Sequence, residues 1–234
     1  MHTSTKLAAI TLFLLLGALI LGFDLIIKSS AFTTTNGSTP EMLSVAGRAN
    51  MRFSVDLPGS PLLAHEIAHM RYMREEEKLA RDVYLVFSNR WGSPIFGKIA
   101  QAEQRHTEAV LTILNRYGVP DPAASTQPGQ FTEPGLAALY PQLIQKGSRS
   151  LPDALLVGGL IEEVDIADLE NATASTTRPD IITVYETIHR GSRNHLRSFS
   201  AALAQLGIPY QPQKLKPAEV AAILASPMEK MPLP

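Results

Sequence analysis

The chain has 234 residues, about 45% of them hydrophobic, enough to bury a sizeable core in one domain with extra segments. Its formal net charge is −1, with no dominant basic or acidic block, which disfavours a nucleic-acid surface. It contains no cysteine, which excludes disulfides, thiolate metal sites, cysteine nucleophiles and cysteine-held iron–sulfur clusters together.

The first predicted element is apolar. Residues 7–23 run almost unbroken as "LAAITLFLLLGALILGF", interrupted by Asp24 and extended by Leu25 to Ile27. A membrane span needs roughly 20 such residues, whereas a signal-peptide core usually has about 7–15. No small-residue cleavage site follows directly. Residues 1–28 therefore read as a membrane anchor, with a cleaved signal as the alternative, and either places the remainder outside the cytoplasm. Residues 29–61 are rich in Ser, Thr, Gly and Pro and read as a linker.

A helical domain is expected over 62–212, followed by a tail, 213–234, with a short helix near "PAEVAAILAS". The first helix, residues 62–92, carries a stripe of Leu63, Ile67, Met70, Met73, Ala80, Tyr84 and Phe87, with Glu77 on it. The charge run Glu75–Glu77 reads otherwise as solvated. The second helix stops at Gly118 and Pro120. Its stripe is Phe96, Ile99, Val110, Ile113, Leu114 and Tyr117, and Glu103 and His106 share that inward face. A Pro/Gly-rich connection of about 30 residues follows, with a helical piece around "GLAALYPQLIQKG"; this length suits a crossover. The third helix is "LPDALLVGGLIEEVDIADLENA" and the fourth "DIITVYETIHRGSRNHLRSFSAALAQLG". No period-two strand pattern competes, so the class is all-α.

The helices repeat in pairs. In both "HTEAVLTILNRYGVP" and "HLRSFSAALAQLGIP" a Gly falls twelve residues, and a Pro fourteen, after the His, pairing His106 with His195. "EEKLARDV" against "EEVDIADL" pairs Glu77 with Glu163 and Asp82 with Asp168. Buried carboxylates and imidazoles are costly alone but can share a cation. Oxygen plus imidazole donors suit iron and manganese, with zinc also possible. Glu-x-x-His puts both side chains on one helical face.

"EEKLARDVY" resembles the first-helix pattern of the ferritin-like superfamily, the group that includes rubrerythrin and ferritin. "MREEEKLARDVY", "AEQRH", "LIEEVDIADLE" and "GSRNHLRSF" resemble, more closely, the family called domain of unknown function 2202. The resemblance spans about residues 62–212. It implies a ferritin-like four-helix bundle with a long crossover between helices two and three. It also implies a metal centre of Glu77, Glu103, His106, Glu163 and His195 holding iron or manganese, supported by Arg81, Tyr84 and Tyr117, and capable of redox chemistry with oxygen or peroxide. A full fourth-helix motif would place Glu at 192. Ser192 stands there, so one carboxylate is missing, and Glu162 or Asp165 are the candidates to compensate. Between one and two metals per chain are expected.

Two other classes compete. "HEIAH", residues 65–69, matches the zinc-protease pattern, although it opens a helix and no third ligand follows at a family spacing. A metal-free interaction module is the structural alternative. Glu186 and His189 form another Glu-x-x-His but fall off the inward face. The expected partners are metal ions and a membrane; the sequence is also compatible with a homo-oligomer.

Overall fold

The computed structural model describes residues 61–230. The apolar N-terminal segment and, apart from Pro61, the linker lie outside the described residues. Among the described residues the structure is all-α, without strands, and no helix is long and apolar enough to cross a membrane. Its helices are α1 (Ala64–Trp91), α2 (Pro94–Arg116), α3 (Pro134–Gly147), α4 (Leu151–Ala174), α5 (Pro179–Gln205) and α6 (Pro217–Ala225).

The boundaries follow from capping chemistry. α1 starts where Glu66 reaches back to the Leu63 N–H at 2.8 Å, and it ends at Gly92 in the left-handed region. Prolines occupy the first turns of α2 to α6, where a missing N–H costs nothing. α2 and α5 end alike. Gly118 (φ 65°) and Gly207 (φ 74°) turn the chain, and the next N–H, from Val119 or Ile208, closes on Leu114 or Leu203 at 2.9 or 3.0 Å. The repeat read from the Gly and Pro spacing is thus a repeat of helix endings.

α1 packs along α2, and α4 along α5; the two pairs meet through α1–α4 and α2–α5 contacts. The crossover helix α3 rests on α1 and α4, and α6 on α5. Two apolar layers form the interior. Met70, Met73, Val110, Ile113, Leu114, Leu169, Tyr185 and Ile188 belong to one. Tyr84, Phe87, Phe96 and Phe199 form the other, with ring centroids 5.3–6.4 Å apart along their contacts. On α1, α2 and α5 the polar residues at issue fall between these layers in sequence.

Some expectations fail locally. Leu63 is half exposed because it is the cap residue of α1 rather than part of its stripe. Glu75, Glu76 and Glu77 are all buried, so the charge run is not a solvated face. The Glu75 carboxylate accepts the Thr132 N–H at 2.7 Å, the Thr132 hydroxyl at 2.8 Å and the Glu133 N–H at 2.8 Å, tying the crossover onto α1. Beside it, Lys78 donates to the Gln127 and Gln130 carbonyls at 2.9 and 3.0 Å and to Asp82 at 2.7 Å.

Candidate metal centre

Between the apolar layers, four long helices deliver side chains to one place: Glu77 from α1, Glu103 and His106 from α2, Glu162 from α4 and His195 from α5. All five are buried. The Nδ1 of His106 lies 2.8 Å from Glu103 Oε2 and 3.2 Å from Glu77 Oε2. The Nδ1 of His195 lies 2.8 Å from Glu103 Oε1 and 3.4 Å from Glu162 Oε2. The result is two triads, Glu77–Glu103–His106 and Glu103–Glu162–His195, with the ligand atoms of each within 4.8 Å of one another. Glu103 belongs to both, one oxygen to each. The two imidazoles stack with centroids 5.5 Å apart.

Backbone makes room for this. A Cβ on Gly191 of α5 would stand 2.5 Å from Cε1 and 2.6 Å from Nε2 of His106, so only glycine lets that ring approach α5. Tyr84 donates to Glu162 Oε1 at 2.6 Å and orients it. Ser192, which stands where a carboxylate is lacking, shares a hydrogen bond between its Oγ and Asp165 Oδ2 and lies 3.0 Å from the Ile188 carbonyl. Asp165 is thereby brought in from α4, beside Glu77.

Electrostatics separate Glu103 from its neighbours. Burial raises Glu77 to about 7, opposed by His106. Burial also raises Glu162, and it raises Asp165 well above the carboxylate range with the charges of Glu77 and Glu76 adding to it. Burial would raise Glu103 too, but the charges of His195 and His106 outweigh it and hold that carboxyl far below its usual range. Burial would lower both imidazoles. The Glu103 charge overcomes it, lifting His106 to about 9 and His195 well above its ordinary value.

Of the residues expected at the centre, Glu77, Glu103, His106 and His195 come together and Glu163 does not. Glu163 is fully buried on another face of α4, where it accepts hydrogen bonds from residues 210–215. Glu162 stands in its place. The repeat alignment was one residue out of register on α4, and one residue is about 100° on a helix. Residues 157–163 are all buried, so α4 has no apolar stripe to indicate which glutamate points inward. Of the supporting residues, only Tyr84 touches the centre. Arg81 is taken by Asp82 and Gln104, and Tyr117 donates to Asp180 at 2.9 Å.

The "HEIAH" motif is used otherwise. Glu66 accepts from Arg178 and Thr176, at 3.1 and 2.6 Å, and from the Leu63 N–H. Its carboxylate has no oxygen free to activate water. His65 and His69 meet Ser175 at 2.8 and 2.9 Å. Among the described residues neither belongs to a group of three ligands. Glu186 is exposed and His189 faces Glu170 at 3.6 Å, away from the centre.

The family model described as "Uncharacterized protein domain (DUF2202)" matches residues 66–227. The chain belongs to the DUF2202 family. An uncharacterized protein of Methanocaldococcus jannaschii, MJ0754, is 43% identical over 180 residues, which span 77% of this chain and 97% of that protein. A crystal structure of hypothetical protein MJ0754 from Methanococcus jannaschii matches with a TM-score of 0.72 at 44% identity, covering 74% of this chain and 99% of that one. The DUF2202 match runs past Pro212 to residue 227, across the boundary expected between domain and tail.

Proposed function

We propose that the DUF2202 domain is a ferritin-like carboxylate–histidine bundle that binds two iron or manganese ions, outside the cytoplasm. One observation carries the reading: Glu103 is shared between two buried Glu–Glu–His triads. Ligands about 2 Å from one ion lie about 3–4 Å apart, so triads this close need little adjustment to close on a cation. The donor atoms support the same view. Glu77 Oε1 and Asp165 Oδ1 are buried without a hydrogen-bond partner, and Glu103 Oε1 and His195 Nδ1 face each other at 2.8 Å without hydrogen-bond geometry, an arrangement that a cation would relieve. Oxygen donors with one imidazole per triad favour iron and manganese over softer metals.

In this reading Glu77 and His106 hold one ion, Glu162 and His195 the other, and Glu103 reaches both. Bound iron or manganese would supply one-electron redox chemistry toward oxygen or peroxide. Tyr84 fixes Glu162, Asp165 offers beside Ser192 a carboxyl that a bound cation would ionise, and the apolar layers keep water out. The apolar segment at residues 7–23 supports attachment to, or export across, a membrane.

The test is anaerobic titration of the untagged full chain with ferrous iron and separately with manganese. Two ions per chain are expected, the one at Glu162 and His195 held more weakly because position 192 offers no carboxylate. Uptake of neither metal would overturn the reading in favour of a metal-free interaction module.

A further inference from the structure

Residues 208–230 do more than trail from α5. Tyr210 lays its ring against α4 at Gly159, where a Cβ would stand 2.4 Å from the ring; no other residue leaves this seat open. One turn further along α4, the Glu163 carboxylate accepts the Tyr210 hydroxyl, the Gln213 N–H at 3.0 Å, and the Lys214 and Leu215 N–H groups, each at 2.7 Å. A carboxylate taking several N–H donors is a strong, directional anchor. The segment then buries Val220 and Ile223 of α6 and returns to α5. There Arg193 pairs with Glu229, and Asn194 and Glu229 exchange hydrogen bonds at 2.8 and 2.9 Å. Arg197 donates to the Ile223 carbonyl at 2.9 Å and to Glu229 at 3.0 Å.

The places of attachment are informative. Glu163 is adjacent to Glu162, and Arg193, Asn194 and Arg197 bracket His195. Both ends of the segment thus grip side chains next in sequence to the two residues that complete the weaker triad. The crossover does the same for the other half, through Glu75 and Lys78 on either side of Glu77. His195 Nδ1 faces Glu103 Oε1 at 2.8 Å and Glu162 Oε2 at 3.4 Å, but neither contact has hydrogen-bond geometry, so these carboxylates attract the ring without fixing its direction. Its position depends on where α5 is held.

We propose that residues 208–230 form a strap that positions Glu162 and His195, with Glu163 as its anchor. Glu163 is a positioning residue and not a ligand. The inference rests on the metal reading above, and it separates a positioning role from general support of the fold: loosening the strap affects one triad and spares the other.

The test uses the full chain with Glu163→Gln, which puts an amide N–H among N–H donors, and with Glu229→Gln at the far latch. Cobalt(II) alone is titrated anaerobically and read by its visible absorption. Histidine ring resonances are followed by NMR in the metal-free chain. Expected for Glu163→Gln is one ion bound as before and the other about 10–100-fold more weakly, with helix content unchanged. Glu229→Gln shifts the same ion less. In the metal-free chain the His195 ring signals move and those of His106 stay. Equal weakening of both ions, or of neither, overturns the proposal. Should Glu163→Gln fail to fold, Glu229→Gln decides by the same criteria. Should the unaltered chain take up no cobalt, the metal reading fails and the NMR result judges the strap: movement of His195 alone upholds it, and movement of both rings or of neither overturns it.

Discussion

The α1–α2 and α4–α5 halves share a scaffold and differ in charge. Each is a helix pair ending in the same glycine turn, and each presents an inward histidine. On α2 a glutamate stands one turn before that histidine; on α5 Ser192 stands there. Glu103 consequently faces both imidazoles, at 2.8 Å each, while the second half borrows Asp165 across to Ser192. A repeated fold can therefore carry a centre in which one carboxylate serves two sites.

Glu103→Gln should have the largest effect, because it removes the anion common to both triads. Metal uptake should vanish at both positions. The metal-free chain at about pH 6 should lose about 3–5 kcal/mol, the usual cost of stripping a buried charge of its partner. Urea unfolding measures this; loss of only one ion would contradict the shared role.

Gly191→Ala should come next, and on one side only. The added methyl collides with the His106 ring, so the Glu77–Glu103–His106 ion should be lost while the Glu162–His195 ion persists. Metal stoichiometry against the unaltered chain reads this directly. Ser192→Glu should work in the opposite direction. It should strengthen the weaker ion in the loaded chain and destabilise the metal-free chain, where a further carboxylate would be buried beside Asp165.

pH should distinguish loaded from metal-free protein. His106 rises from 6.5 to about 9 on folding and Glu77 from 4.5 to about 7, so the folded chain binds more protons than the unfolded one. The His106 contribution is fully present below about pH 6.5 and is lost as pH rises through 9. The Glu77 penalty grows from about pH 4.5 to 7. Metal-free stability should fall across this whole window, while metal affinity rises because the ions displace those protons. Denaturant midpoints from pH 5 to 9 check both slopes. The smallest effect is expected at the strap's far end. Hydrogen bonds from Arg193 hold the Glu229 carboxyl down at about 2, so its stabilising contribution is present above about pH 4.5 and lost as pH falls through 2. This pair is partly exposed, and Glu229→Gln should cost no more than about 1 kcal/mol by thermal melting.

The sequence was informative where local chemistry sets structure and less so where packing does. Proline and glycine mark the helix ends, and the Gly and Pro spacing alone matches His106 to His195. Glu103 stood out as a charge on an apolar stripe. On α4 that logic had no purchase, because the strap covers the face that would otherwise be solvated, and both Glu162 and Glu163 are buried. Glu75 departs from the expected solvated face for a related reason: its partners are chiefly backbone N–H groups of the crossover, which leave no trace in residue identity. The same holds for the grip of Glu163 on residues 213–215. The expectations for residues 1–28 and, apart from Pro61, for residues 29–61 concern a part of the chain outside the described residues.

The most direct measurement is anomalous diffraction from crystals of the chain grown with manganese or ferrous iron. The account predicts two peaks about 3.5–4 Å apart, one touching Glu77 and His106, the other Glu162 and His195, with the Glu103 carboxylate reaching both. No peak at Glu103, or a peak held by Glu163 or by His65 and His69 instead, would contradict it.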